Sequence, residues 1–366
     1  MRKTAAFCSA GTRTNKFFWG VFGRAAPVVV VFLLVINISS SLSLKLGAES
    51  NSAKTTVKTL TSVYDGKRFE SLYLPAEDKT GPFFSVLNSR SKTPAPILLI
   101  PPIGVGISNQ FFTRFINAWK QTKDARSPIY APDLIGCGTS VPMPTENDKP
   151  LTPADWGEQL SSYIKEEIGQ PVILVSQGGS APIALSTLQL RSDMIKGLIL
   201  LTPPNPKSLT TQTNKLISNT FYSVFSRSIL GDWFYRIARG RAFLKDFSEK
   251  NLFLNPSDVD DEWLDMCSKD AVDFSKRFGI FAFLSGIWRD NYKEAFSIMA
   301  KIPTLVVAGS RSSFDPSSQE KKLSDYKMLV PSCETTRVLQ GGGILPWECP
   351  EETALAIQEF ISSNKL

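Results

Sequence analysis

The stretch Pro171 to Leu185 (PVILVSQGGSAPIAL) constrains the fold of this chain more than any other. Val172 to Val175 is a short continuous apolar run, as expected of a strand buried on both faces. The small residues of SQGGS then form a tight turn, and APIAL opens an apolar helix. A strand that passes within a few residues into a helix must lay that helix back on its own sheet, which is the layering of an α/β protein. Ser176, Gly178 and Ser180 stand at the first, third and last positions of a G-x-S-x-G turn, the setting of a strained, exposed nucleophile. Glycine, at Gly178, occupies the place of the reactive serine.

The rest of the chain repeats the alternation. Tyr64–Pro75 and Phe83–Asn88 read as two short strands joined around Lys79, Thr80 and Gly81, from alternating apolar and aromatic residues. Pro96–Ile100 (PILLI) reads as a buried strand, followed by the loop PPIGVGIS and a helical pattern over Phe111–Trp119. Pro128–Asp133 is the next strand. Thr152-Pro153-Ala154-Asp155 carries a threonine cap, proline at the first helical position and an acid in the first turn, and so predicts a helix start. Gly197–Leu201, Ile302–Ala308 and Thr335–Leu339 read as further strands; a helix is expected around Gln319–Leu329, and a closing one over Pro350–Ser362. Between Lys207 and Ala300 there is no strand-like aliphatic run, and aromatics recur at helical intervals, which predicts four or more helices inserted between two core strands. The organisation expected is a presequence over 1–55, a mostly parallel sheet with helices on both faces over 56–206 and 300–366, and a helical cap over 207–299.

The formal charge of +7 is concentrated at the N-terminus. Arg2, Lys3, Arg13, Lys16, Arg24 and Lys45 precede the first acid, Glu49, and the remaining chain is close to neutral. A basic pI therefore implies no nucleic-acid partner, and no nucleic-acid motif is present. An acid-free N-terminus rich in Arg, Lys, Ser and Thr has the composition of a plastid-type transit peptide. Residues 25–44 form an uncharged run whose apolar centre also fits a signal peptide or signal anchor, so the secretory pathway or membrane anchoring stays open. Cysteines Cys8, Cys137, Cys267, Cys333 and Cys349 show no paired spacing and read as free thiols. The chain has no histidine. With no cysteine or carboxylate cluster either, neither a metal nor another cofactor is expected.

Four segments in order carry a resemblance. YAPDLIGCGTS resembles the D-x-x-G-x-G-x-S turn after the fourth strand of the α/β-hydrolase fold. VSQGGSA stands at its nucleophile elbow, IPTLVVAG precedes its acid turn, and GGGILPWECPEE resembles its histidine loop. The resemblance spans roughly residues 60–206 and 300–366. PPIGVGIS and SQGG further resemble a branch found in cyanobacteria and plastid-bearing organisms. Carried over residue by residue, the resemblance puts the nucleophile position at Gly178, the acid position at Ser312 and the base position at Ile344. It implies a degenerate triad and a protein that binds an apolar or acyl ligand, or a protein partner, without catalysis. The backbone amides of Ile103 and Gly179 take the positions of the family's oxyanion hole, as ligand-binding groups.

Other residues offer fallback chemistry. Ser176 and Ser180 flank the elbow, Cys137 is a thiol beside the expected site, and Asp315 lies three residues beyond the acid position. Glu348 with Asp315 would make a carboxylate pair, and Asp133 is expected to brace loop amides. A constellation of these would hydrolyse lipid or pigment esters. A third reading places the action at a membrane surface, through cap residues such as Trp233–Lys245 (WFYRIARGRAFLK), which mix aromatics with basic side chains.

Overall fold

The computed structural model describes residues 56–76, 94–122, 126–145, 147–311, 318–338 and 340–366. The presequence, the Phe83–Asn88 strand expectation, Ser312 and Asp315 lie outside the described residues.

The described chain forms one eight-stranded sheet in the order β1-β2-β4-β3-β5-β6-β7-β8. β1 (Lys58–Tyr64) and β2 (Lys67–Leu74) are an antiparallel hairpin. Asp65 and Gly66 turn it with φ of 48° and 70°, the left-handed pair a two-residue hairpin requires. The strand expected over Tyr64–Pro75 is therefore β2, beginning at Lys67, and a further strand precedes it; the Asp-Gly dipeptide between two alternating runs is the local signal for that turn.

β3 (Ile97–Ile100), β4 (Ile129–Pro132), β5 (Val172–Gln177), β6 (Ile195–Leu201), β7 (Thr304–Gly309) and β8 (Glu334–Val338) run parallel to one another. Parallel strands need long crossovers, and helices supply them. α1 (Thr113–Gln121) follows β3, α2 (Pro153–Tyr163) follows β4, and α3 (Ala181–Leu190) follows β5. α2 starts as its sequence predicts: Thr152 and Asp155 exchange side chain-to-backbone bonds in a capping box, with Pro153 next to the cap.

The inserted cap consists of α4 (Pro206–Thr210), α5 (Lys215–Arg227), α6 (Ile229–Ala238), α7 (Arg241–Asn251), α8 (Asp261–Asp270), α9 (Arg277–Leu284) and α10 (Lys293–Met299). The sheet then resumes with β7, α11 (Gln319–Leu329), β8, the short α12 (Leu345–Glu348) and α13 (Pro350–Asn364).

Every residue of β3, β5 and β7 is buried, so both faces of the central sheet are covered. Leu99, Ile173, Val175 and Ile199 pack on one side with Phe115, Trp119 and Ile357. Leu98, Leu174, Leu198 and Val306 pack on the other with Trp156, Leu160 and Leu185. The cap has its own small core of Tyr222, Phe225, Tyr235 and Phe281. Arg114 of α1 ties cap to core: it pairs with Asp260 and Glu262 and lies 4.4 Å over the Trp347 ring.

Candidate functional site

The loops that leave the carboxyl ends of the strands converge, as they do at ligand sites of parallel sheets. Ile100 of β3 is in register with Ser176 of β5, so the loop after β3 and the turn after β5 emerge side by side. Ser180 fastens them: its Oγ donates to Gln177 O at 2.8 Å and lies 3.3 Å from Ile100 O. Gln177 reaches across to the loop after β8. Its Nε2 donates to Thr202 Oγ1 at 2.6 Å and to Gly343 O at 2.7 Å, and Thr202 Oγ1 donates to the same carbonyl at 2.8 Å. The loop after β7 joins the cluster through Ser310 N, which donates to Gly341 O at 2.7 Å.

Gly178 begins the turn with φ of 59°, a left-handed conformation that glycine adopts without strain. A Cβ built on it meets nothing within 4 Å, so the position opens onto space large enough for a side chain. Gly179 is different: a Cβ there would lie 2.5 Å from Phe283 Cζ of α9. Phe283 stacks on Trp288 with centroids 5.7 Å apart, and the pair covers this side of the turn. Ile103, half-buried on the loop after β3, packs against the same core cluster as Trp288.

Ser176 is fully buried near the end of β5, and its hydroxyl has no hydrogen-bond partner among the described residues. Ser180 spends its hydroxyl on backbone carbonyls. Cys137, buried on the loop after β4, has its Sγ 3.5 Å from where a Cβ on Gly279 would stand, and burial pushes its thiol up to about 12. A thiol so shifted supplies almost no thiolate at neutral pH. Ile344 is buried in the core.

Two carboxylates act as loop braces. Asp133, fully buried, accepts from Asn109 N at 2.7 Å and from both Thr139 N and Thr139 Oγ1 at 2.8 Å. Burial raises its pKa to about 6 against the lowering effect of these bonds. Glu348 accepts from Leu254 N at 2.6 Å and Gly342 N at 2.9 Å, with Ile344 N at 3.4 Å, so it clamps the cap to the loop after β8. Burial raises its pKa too, although the three amides oppose the shift. Arg311 was not singled out from sequence. Its guanidinium donates to the carbonyl of Lys250 in the last turn of α7 and to that of Phe253 just beyond it, so a cation sits at the C-terminal end of that helix.

Among solved structures, the chain resembles a bacterial membrane phospholipase A described as a virulence factor: 14% identity, TM-score 0.61, covering 84% of this chain and 87% of that one. It also resembles wild-type Cfl2 from Burkholderia cenocepacia, with 17% identity and TM-score 0.59, over 83% of this chain and 95% of that one. A thermophilic esterase from Thermogutta terrifontis matches with 17% identity and TM-score 0.58, over 84% and 99%. These likenesses establish the fold. The search of curated proteins gave no match. No helix among the described residues is long and apolar enough to cross a membrane. The family description "Alpha/beta hydrolase family" matches residues 97–356, from β3 into α13, and the chain belongs to that family.

Proposed function

We propose that this chain is a non-catalytic α/β-hydrolase-fold protein of a plastid that holds an apolar or acyl ligand, or a protein partner, at the loop cluster around Gly178. The observation that carries the reading is the absence of histidine from the whole sequence, together with glycine at the elbow. A serine hydroxyl needs an adjacent base to lose its proton near neutral pH, and histidine is the side chain suited to that. With Gly178, Ser312 and Ile344 at the triad positions, what remains is a set of backbone donors, at Ile103 and Gly179, suited to a carbonyl or carboxylate oxygen. Such donors and binding alone support roughly 10³–10⁴-fold catalysis over water, far below the roughly 10⁶-fold at which enzymes begin. The plastid assignment is supported by the acid-free N-terminal composition.

A second reading is an enzyme that hydrolyses lipid or pigment esters with an unfamiliar constellation. The solved structures that the chain resembles, among them a phospholipase, an esterase, a thioesterase domain and a serine hydrolase, favour this reading over the first. Incubation of the purified chain with p-nitrophenyl esters of short and long acyl chains separates the two. The first reading expects no turnover at enzyme-like rates, while a fluorescent fatty acid is bound and displaced by unlabelled acid. Turnover that disappears on Ser176→Ala would sink the first reading and establish the second.

A further inference from the structure

Helices α5 and α6 meet at Ser228 in a tight corner, where a side chain on Gly231 would collide with the Phe225 carbonyl. Their inner faces are occupied. Phe225 and Tyr235 both make edge contacts with Phe281 of α9, at centroid distances of 5.6 and 6.5 Å. Since both helices turn these residues inward onto one ring, their outer faces look away from it together.

That outer face is apolar as well. Leu216 is 75% exposed, Ile217 62%, Ile229 88% and Trp233 51%, with Val224 and Leu230 also exposed. A cap helix that has already buried one stripe ordinarily carries polar residues on the other. Contiguous exposed apolar side chains mark an interaction surface. Its own stretch of chain is cationic: between Pro206 and Arg241 the basic residues are Lys207, Lys215, Arg227, Arg236, Arg239 and Arg241, and the only acid is Asp232. Arg241 is paired with Asp261 and Asp265 of α8, and Arg236 and Arg239 lie over the Phe274 ring. Asp232 is already paired with Arg277 at 3.1 Å. The Lys215 side chain is 73% exposed and only 3.9 Å from Asp290, a weak surface pair.

We propose that the outer face of α5 and α6 docks the protein on an anionic phospholipid bilayer. Ile229 and Trp233 enter the boundary between headgroups and acyl chains, and the basic residues around them meet lipid phosphates. Apolar side chains with an aromatic among them, ringed by cations, are the recognised chemistry of such a surface. The basic residues favour a bilayer over an apolar protein surface, whose fully buried core is depleted of charge. α9 joins this face to the elbow, since it presents Phe281 beneath α5 and α6 and Phe283 against Gly179. The inference does not depend on whether the elbow site binds or hydrolyses its ligand.

The test attaches an environment-sensitive fluorophore to the full chain at Leu216→Cys, with Cys8→Ser so that only buried native thiols remain. A second chain carries the label at Met328→Cys on α11, equally exposed at 74%. Both are titrated with phosphatidylcholine vesicles containing about one-third phosphatidylglycerol. The label at 216 is expected to shift to the blue and to be quenched by lipid-borne nitroxide, while the label at 328 does neither. Ile229→Glu with Trp233→Ala, which alters only exposed side chains, should weaken the partition at 216 on the order of tenfold or more. Salt near 1 M, which shortens screening to about 3 Å, should weaken it as well. No lipid-dependent change at 216 overturns the proposal, even if the chain binds vesicles elsewhere. A shift that follows protein concentration without lipid also overturns it, in favour of a second copy on this face.

Discussion

Gly179 of the elbow lies directly under Phe283 of the cap, so closely that a methyl group on the glycine would fall 2.5 Å from the ring carbon Cζ. The approach explains why this residue has no side chain: any Cβ must displace a ring that is itself stacked on Trp288. Gly179→Ala should therefore destabilise the protein by roughly 1–3 kcal/mol, the usual cost of overpacking. Phe283→Ala should absorb most of that cost, so a double-mutant cycle by urea denaturation should give a coupling on the order of 1 kcal/mol or more. Additive effects would show that the cap does not bear on the elbow.

Gly178 gives the opposite expectation. Its neighbourhood is open, and only its φ of 59° opposes a side chain. Gly178→Ser should fold, with a loss of about 1 kcal/mol from the left-handed conformation. It should not acquire esterase activity, because no histidine is present to take the hydroxyl proton. Steady-state assay of that variant with p-nitrophenyl butyrate is the check. Turnover would mean that another group near the turn serves as base.

How far the site was legible in the sequence follows from what each part depends on. The elbow, the capping box at Thr152 and the bounds of α11 rest on neighbours within a few residues, and local patterns carry them. The hairpin turn at Asp65-Gly66 is equally local, marked by an Asp-Gly pair between two alternating runs. The contact of Phe283 with Gly179, the clamp of Glu348 on Leu254 and the cover of Arg311 over α7 join residues far apart in the chain. No spacing rule encodes such pairs. Their physical signal is a need that sequence leaves unstated: a filled gap, a satisfied amide, a covered carbonyl.

The thiols provide a simple chemical check. Cys137, Cys267, Cys333 and Cys349 are all buried, and burial raises the pKa of each, to about 12 for Cys137 and Cys349. Iodoacetamide near pH 8 should leave these four unmodified in the folded chain and alkylate them once denaturant is added, as followed by mass spectrometry. Rapid labelling of Cys137 in the native protein would revive it as a nucleophile.

Glu348 holds the cap segment at Leu254 and the loop amides at Gly342 and Ile344 with one carboxylate. Glu348→Ala leaves those amides without their acceptor, and each buried amide without a partner costs roughly 1–3 kcal/mol. Hydrogen exchange should show the segments around Leu254 and Gly342 losing protection together, while β3 and β5 keep theirs. Unchanged protection at both places would remove the clamp.

Asp133 links burial to pH. Its folded pKa, about 6, lies above the ordinary 3.8, so between these values the native chain holds a proton that the unfolded chain has released. Stability from this group is fully present below about pH 4 and is lost as pH rises through about 6, a change on the order of 3 kcal/mol. Asp133→Asn removes the titration and also places an amide where Thr139 N and Oγ1 both donate, so the variant is less stable throughout. The margin of the wild type over Asp133→Asn, measured by urea denaturation from pH 4 to pH 7, should be widest near pH 4 and narrow as pH rises. A margin that widens with pH would show that the three donors, and not burial, govern this carboxyl.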